Sequence, residues 1–423
     1  MEITNSSQIT PKQSKISIIV SVVLIVLLVG SVYISQLIFQ EISQSFNINI
    51  LEARLVFSLS CFCYAISFFI YGPLSDQIST RLLVIFGCIG TIFCLGISGF
   101  IQSFRLYLFI MSLTGFFAAS VPAALFAYTA KTTPNKQLPQ KMGLMISASI
   151  VGMIFSRSFI AILTDNSSWQ FAFMIYAILI FCTCLFIPYS IKNAANNHKL
   201  SIIQAYLNAT QLLLHKTIIV FLLVGFILFF IYLGISSFLT FYLKGAPYYL
   251  SSTTLGWLNF AGISAVIGAT ITGKLSQSIK GNKLLIICLL CISASIIIIG
   301  LSSNLIYITI GVFSLFLFVF SAQSIIISII NQTVTVMSRG TISSLYLLAC
   351  LAGGSTGTYL LGIVYEKLNW NGIINTCIIL SLANIALAYL GTKLLQIAKN
   401  KMQKKFSNIN VLNQFYITLP IRN

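Results

Sequence analysis

Long apolar runs, separated by short polar segments, make up most of this sequence. Each run has about the 20 residues that a helix needs to cross the hydrocarbon core of a bilayer. Charged residues are 7% of the 423 positions, whereas they make up about 25% of a soluble domain. Strands of a transmembrane barrel would instead appear as short alternating segments. We therefore predict an all-α membrane protein with twelve transmembrane helices, at 16–38, 55–74, 82–100, 106–128, 142–163, 171–191, 217–242, 254–273, 284–301, 305–330, 342–364 and 372–391.

The two halves of the chain repeat each other at an offset of 201 residues. The segment 72–83, G-P-L-S-D-Q-I-S-T-R-L-L, returns in weaker form at 273–284, where Gly273 is the counterpart of Gly72. The segments 165–169 and 366–370, which both begin with an acid and end with Trp, share the same offset. This repetition predicts two six-helix bundles, at 1–191 and 217–396, with a cytoplasmic linker at 192–216 and a basic cytoplasmic tail at 397–423.

Lys and Arg residues are unevenly divided between the two sides of the predicted helices. With the N-terminus inside the cell, nineteen of the 24 lie on inner segments, four lie on outer loops, and Arg157 lies within a span. By the positive-inside rule, this asymmetry places both termini in the cytoplasm. It also accounts for the net charge of +18 without a nucleic-acid partner, because the cations are scattered between apolar runs and form no single basic patch.

The segment after the second predicted helix resembles the major facilitator superfamily signature G-x-L-(small)-D-R-x-G-R-(K/R). Gly72, Leu74, Asp76 and Arg81 match it, and three positions between Asp76 and Arg81 depart from it. Further along, the stretches at 339–346, 353–357 and 370–372 are similar to helix 11 of bacterial efflux permeases in the arabinose-efflux and multidrug branch. The resemblance implies two bundles that rock about a central substrate site, and it makes the segment around Asp76, with Gly273 in the second copy, a conformational latch.

Asp76 is the strongest single candidate in the latch. A carboxylate at the inner end of the second predicted helix can accept hydrogen bonds from backbone N–H groups at the N-terminus of a neighbouring helix. It can also pair with Arg81 across the turn. The counterpart of Asp76 is Gln277, which has no charge, so we expect an asymmetric latch. A solvated loop acid is the alternative interpretation.

Arg157 is a cation deep in the fifth predicted helix, and no acid lies inside any of the twelve spans. Such a charge costs ~3 kcal/mol to insert and is by default a functional-site hypothesis. Arg157 either faces a central cavity and binds an anionic substrate or polar headgroup, or it is structural, bonding backbone carbonyls or reaching toward Asp165. Other cavity candidates are polar or aromatic residues within spans: Tyr33, Gln36, Tyr232 and Gln323. Each of these alone is also compatible with a hydrogen bond between helices.

Small residues recur on the eleventh predicted helix, at Gly353, Gly357 and Gly362. Such residues allow helix backbones to approach closely. We expect these glycines to serve helix packing, either in static contacts or where bundles slide against each other.

These features favour a secondary-active transporter that moves a small solute by rocker-switch alternating access, with export as the expected direction. Nutrient uptake of a sugar, amino acid or siderophore remains open, as does a membrane sensor or scaffold without flux. Motifs of membrane enzymes and of ATP-driven pumps are absent from the sequence, so we expect no enzymatic activity, cofactor or metal. Protons are a candidate coupling ion, with Glu41 near the outer end of the first helix the nearest acid; uniport or a non-proton coupling is the alternative, because no acid lies inside a predicted span. We expect a monomer in a bacterial inner membrane.

Overall fold

The computed structural model describes residues 11–191, 202–250, 261–276 and 279–417, and within these ranges helices joined by turns and short loops are present and strands are absent. The first half contains helices α1 to α8: Pro11–Ser31, Phe39–Phe46, Ile50–Gln77, Thr80–Ser98, Phe104–Thr132, Leu138–Asn166, Trp169–Cys184 and Ile187–Ser190. A short helix, α9 (Ile202–Leu214), follows in the linker. We call α1–α8 the first bundle.

The second half contains α10 (Lys216–Lys244), α11 (Ala261–Leu275), α12 (Gly281–Leu301), α13 (Leu305–Thr333) and α14 (Arg339–Ile417). Asn369 interrupts α14 with non-helical dihedral angles (φ 54°, ψ −157°). This break divides α14 into α14a (339–368) and α14b (370–417). We call α10–α14 the second bundle.

Nine helices of the described residues are long and apolar enough to cross a membrane, and one of them, Val336–Ile397, contains the break at Asn369. Two shorter apolar helices, Ile16–Ser31 and Gly262–Leu275, occupy the remaining predicted positions. Each of the twelve predicted spans therefore overlaps a helix, while the count of twelve crossings and the side that each terminus faces stay predictions. Residues 192–201 of the linker and 418–423 of the tail lie outside the described residues.

The first predicted span is too long at its outer end. It was expected to continue to residue 38, but α1 ends at Ser31 and residues 32–37 form turns. In this segment the amides of Tyr33 and Gln36 bond the carbonyls three residues back. The Ser31 hydroxyl donates to the Leu28 carbonyl at 2.7 Å, and such local bonds compete with the helical pattern. The sixth span is also interrupted, because α7 ends at Cys184 and Pro188 lies in the separate helix α8.

Equivalent glycines show that the repetition in sequence is also a repetition in packing. Gly152 of α6 lies against the Val26 carbonyl of α1, and a Cβ at this position would overlap that oxygen. Its counterpart in the second bundle, Gly353 of α14a, lies in the same way against the Phe226 carbonyl of α10. Because both glycines allow two helices of one bundle to touch through their backbones, each bundle is closed by the same type of contact.

Candidate functional site

Asp76 lies in the last turn of α3 and is 3% exposed. Its carboxylate accepts hydrogen bonds from the backbone nitrogens of Gly340 at 3.0 Å and Thr341 at 2.7 Å. The Thr341 hydroxyl donates to it as well, at 2.6 Å. These donors occupy the first turn of α14a, where free N–H groups and the helix dipole favour an anion. Asp76 therefore joins the first bundle to the second at the end that we expect to face the cytoplasm.

The cation paired with Asp76 is Lys131, in the last turn of α5. Its Nζ lies 2.8 Å from the Asp76 carboxylate, and the Lys131 side chain is 19% exposed. The same nitrogen donates to the Ser75 carbonyl at 3.0 Å. The carboxylate is thus surrounded by a cation from its own bundle and a helix N-terminus from the other.

The predicted pair between Asp76 and Arg81 is wrong. Arg81 lies at the start of α4, and its guanidinium donates to the carbonyls of Ile191 (3.2 Å) and Pro188. Pro188 lies in the short helix α8 and Ile191 follows it, where the chain leaves the first bundle. Arg81 therefore connects α4 to the end of α8 within the first bundle.

Arg339 forms a second connection between the bundles, which the sequence interpretation missed. It is 6% exposed at the start of α14a, and it donates to the Asn331 carbonyl of its own bundle at 3.1 Å. Its two terminal nitrogens donate to the first bundle, to the Ala130 carbonyl and to Asn135 Oδ1, the latter at 2.8 Å. In the sequence, Arg339 is one of many inner cations and the first residue of the stretch that resembles helix 11, and neither observation predicts a contact with the first bundle. Its planar, five-donor head is suited to such a multiple contact.

Close contacts of small residues accompany these polar ones. Gly72, in the latch segment, lies against Ser344 of α14a, where an added Cβ would be 2.9 Å from the Ser344 Cβ. Gly273 lies against the N-terminus of α6, where a Cβ would be 2.8 Å from the Pro139 carbonyl oxygen. Gly143 of α6 touches the Ala269 carbonyl of α11. Leu74 is half-buried in the last turn of α3, and its carbonyl accepts the bond that ends the helix.

The second copy of this contact has fewer charges. By the 201-residue offset, Lys131 corresponds to Gln332, which donates to the Ser328 hydroxyl of its own helix at 3.2 Å. The counterpart of Asp76, Gln277, lies outside the described residues. Thus the charged contact belongs to one pair of helices, α3 and α14a, and the related pair α11 and α6 is joined through Gly273 and Gly143.

Arg157 lies on α6, half-buried. Its Nε donates to the Met153 carbonyl at 2.8 Å, and Nη1 donates to Gln36 Oε1 at 3.3 Å. It does not reach Asp165: the one salt bridge among the described residues is that of Lys131 with Asp76. Gln36 and Tyr33 belong to the turns at 32–37, so the interruption of the first span brings both residues toward Arg157.

Tyr232 of α10 lies on the second bundle within electrostatic range of Arg157, as does Tyr33 of the first bundle. The Tyr232 ring packs edge-on against Phe316 and Phe320 of α13, with centroids 4.9 and 5.2 Å apart. The hydrogen-bonded pair of Arg157 and Gln36 and two phenols, one from each bundle, therefore lie in the same region, beside an aromatic wall.

Gln323 of α13 is 5% exposed, and its side-chain oxygen has no hydrogen-bond partner. The structure gives no contact between it and Arg157. Gly353 and Gly357 touch the carbonyls of Phe226 and Phe230 on α10, and Gly362 approaches Phe238 of the same helix. These three glycines therefore pack inside the second bundle. The glycines at the contact between the bundles include Gly72, Gly143 and Gly273. Among the described residues there is no cluster of three or more His, Cys, Asp or Glu side chains that could hold a metal ion.

The model of the Major Facilitator Superfamily matches residues 20–358 of the chain. Bacterial transporters are similar to this chain, two of those named here over most of their length and one over about a third. The MFS-type transporter YybF of Bacillus subtilis is 22% identical over 346 residues, which are 81% of this chain and 85% of YybF. A transporter of Buchnera aphidicola subsp. Schizaphis graminum is 26% identical over 367 residues, 84% of this chain and 86% of that protein. The inner membrane transport protein YnfM of Escherichia coli is 26% identical over 140 residues, covering 33% of this chain and 34% of YnfM.

Solved structures of transporters share the fold. FucP, a fucose:proton symporter of Escherichia coli, superposes in its outward conformation with a TM-score of 0.73 at 15% identity, covering 90% of this chain and 99% of FucP. A bacterial homologue of the iron transporter ferroportin, in its outward-facing state, gives a TM-score of 0.72 at 11% identity, covering 89% and 99%. Together with the family match, these likenesses establish that the chain belongs to the major facilitator superfamily.

Proposed function

We propose that the chain is a secondary-active transporter that exports a small solute by rocker-switch alternating access. The observation that carries the proposal is the contact of Asp76 with the N-terminus of α14a, because it joins two bundles and not two parts of one. A contact of this kind stabilises one arrangement of the bundles and has to break in the other. Binding of solute between the bundles can then shift the balance between the two arrangements.

We propose that the structure is in the outward-facing state, in which the inner side is closed. Among the described residues, Asp76, Ala130, Asn135 and Ser147 of the first bundle form hydrogen bonds with α10–α14. All four lie on the inner side of Arg157, given the predicted orientation. In this proposal the inner side is closed, and Arg157, Gln36 and Tyr232 line the site reached from outside.

The direction and the membrane are proposed on different grounds. Export rests on the likeness of 339–346 and 353–357 to bacterial efflux permeases. Uptake by the same fold is the competing direction. The bacterial source of the relatives, one of them named an inner membrane transport protein, supports a bacterial inner membrane. Protons are the proposed coupling ion, and the protein is proposed to act as a monomer.

The test is efflux from cells loaded with a panel of fluorescent and radiolabelled solutes, with and without a protonophore. Wild type is compared with Asp76→Asn at matched expression. Asp165→Asn is the matched control, because Asp165 is an exposed acid. Protonophore-sensitive efflux that is lost in Asp76→Asn alone supports a coupled exporter. Accumulation of a nutrient in place of efflux overturns export and favours uptake, and absence of flux in either direction, also from proteoliposomes, overturns transport.

A further inference from the structure

The strongest unexplained feature of the central region is a cation without an anion. Arg157 has five N–H donors, and the structure gives partners to two of its nitrogens, the Met153 carbonyl and the Gln36 amide oxygen. Both partners are neutral. Within the described residues no carboxylate pairs with it. A guanidinium placed among apolar helices is costly unless an opposite charge or further hydrogen bonds compensate it.

Bundle architecture does not require this charge. The counterpart of Arg157 in the second repeat is Thr358 of α14a, whose hydroxyl bonds the Gly354 and Ser355 carbonyls of its own helix at 3.1 and 2.9 Å. The equivalent position in the same fold is thus occupied by a small residue that needs no partner outside the helix. The arginine therefore serves a purpose specific to the first bundle.

The surroundings of Arg157 define what could supply the missing charge. Gln36 and Tyr33 lie on turns, not on a helix, and Tyr33 packs against Phe57 with ring centroids 5.6 Å apart. In the second bundle, Tyr232 and Phe316 pack edge-on. A ligand between the bundles would meet one fork of N–H donors and half-buried aromatic rings from each bundle.

We propose that the transported solute is an amphipathic organic monoanion. Its carboxylate, sulfonate or phosphate ester pairs with the free guanidinium nitrogen of Arg157, and its flat apolar body packs between Tyr33 and Tyr232. Because Arg157 and Tyr232 belong to different bundles, such a solute joins them and is released when they separate. This inference rests on the proposed transport function and names the substrate class of the same site.

The test uses three probes of matched shape and different charge: 2-naphthoate, 2-naphthalenemethanol and 2-naphthylmethylammonium. Their binding to the full chain, purified into nanodiscs, is measured by equilibrium dialysis and thermal shift. Charge-assisted hydrogen bonds of about 1.5–3 kcal/mol correspond to a preference of about 10- to 100-fold for the anion over the alcohol. Arg157→Gln is expected to abolish the preference, and Arg157→Lys to keep part of it. Arg105→Gln, at an exposed arginine on the predicted outer loop, is the control.

Equal binding of the three probes to wild type overturns the proposal, as does an anion preference that survives Arg157→Gln. The wild-type ratio decides the matter even if Arg157→Gln does not fold. Flux assays on proteoliposomes separate this inference from the transport function. Flux of the alcohol or amine equal to that of the anion overturns the substrate class and leaves a transporter. Anion-selective binding without flux of any probe overturns transport and leaves the anion site.

Discussion

The Asp76 carboxylate lies 2.7 Å from the Thr341 backbone nitrogen, so an acid at the end of one bundle caps the first turn of a helix in the other. The same carboxylate also forms an ion pair within its own bundle, because Lys131 Nζ lies 2.8 Å from it. Its hydrogen bonds to Gly340 and Thr341 exist only while the bundles stay together at this end. The free energy of the closed arrangement therefore depends directly on this one side chain.

Asp76→Asn is expected to shift the bundles toward the arrangement in which the inner side is open. Asparagine keeps an acceptor for α14a but removes the charge that pairs with Lys131. Loss of a charged hydrogen-bond network of about 1.5–3 kcal/mol changes the ratio of the two arrangements by about 10- to 100-fold. Distances between spin labels at the exposed positions 136 and 337, on opposite bundles, measure this ratio. An unchanged distance distribution in Asp76→Asn would contradict a latch, and Asp165→Asn is expected to leave it unchanged.

Arg339 is expected to act in the same closed arrangement as Asp76. Arg339→Lys keeps the charge but cannot donate to Ala130 and Asn135 while also bonding Asn331. We expect this variant to widen the distances between 136 and 337, and the effect of combining it with Asp76→Asn to be less than the sum of the two. Such coupling follows because the two contacts share the same backbone: Arg339 precedes Gly340, which donates to Asp76, and the Ala130 carbonyl precedes Lys131, the cation paired with Asp76. Strict additivity in the double-mutant cycle would show two independent contacts, and Arg105→Lys serves as the control.

The helices could be predicted from the sequence because a bilayer imposes one length on every apolar run. The interruption at residues 32–37 could not, because neither Pro nor Gly lies within the segment and the local bonds of Ser31 and Tyr33 are visible only in the structure. The sequence suggests Arg81 as the cation paired with Asp76 because the two residues are close in the chain. The observed partner, Lys131, is distant in sequence and lies near Asp76 because α5 packs on α3. A signal for Lys131 was nevertheless present. Both charges are replaced by glutamine in the second repeat, at Gln277 and Gln332.

Glycines at the contact between bundles and glycines inside one bundle are expected to respond differently to the same substitution. Gly143→Val places a side chain into the Ala269 carbonyl of the other bundle, whereas Gly353→Val places it into the Phe226 carbonyl of its own bundle. The first variant should keep its melting temperature and lose the closed arrangement, because the bundles can separate. The second should lose about 1–3 kcal/mol of stability, because a packed bundle cannot relieve the overlap.

Melting curves and label distances for both variants check this contrast. Gly96→Val is the matched control, since no atom lies within 4 Å of an added Cβ there. If Gly143→Val and Gly353→Val lower the melting temperature equally, the contact between α6 and α11 is static packing and not a surface that opens.

Glu41 is the acid for which a proton-coupling role can be tested most directly. It lies on α2, immediately beyond the turns that carry Tyr33 and Gln36, and one of its carboxylate oxygens is buried without a hydrogen-bond partner in the described structure. Carboxylates in membrane-embedded regions are the residue type that proton relays use, and this one lies next to the turns that carry the cavity candidates. Glu41→Gln mimics the protonated form permanently. We therefore expect this variant to keep exchange of solute across proteoliposomes and to lose transport driven by a proton gradient, by about tenfold or more. Glu366→Gln, at an exposed acid of the second repeat, should keep both activities. If gradient-driven transport persists in Glu41→Gln at the wild-type rate, the coupling does not pass through this carboxylate.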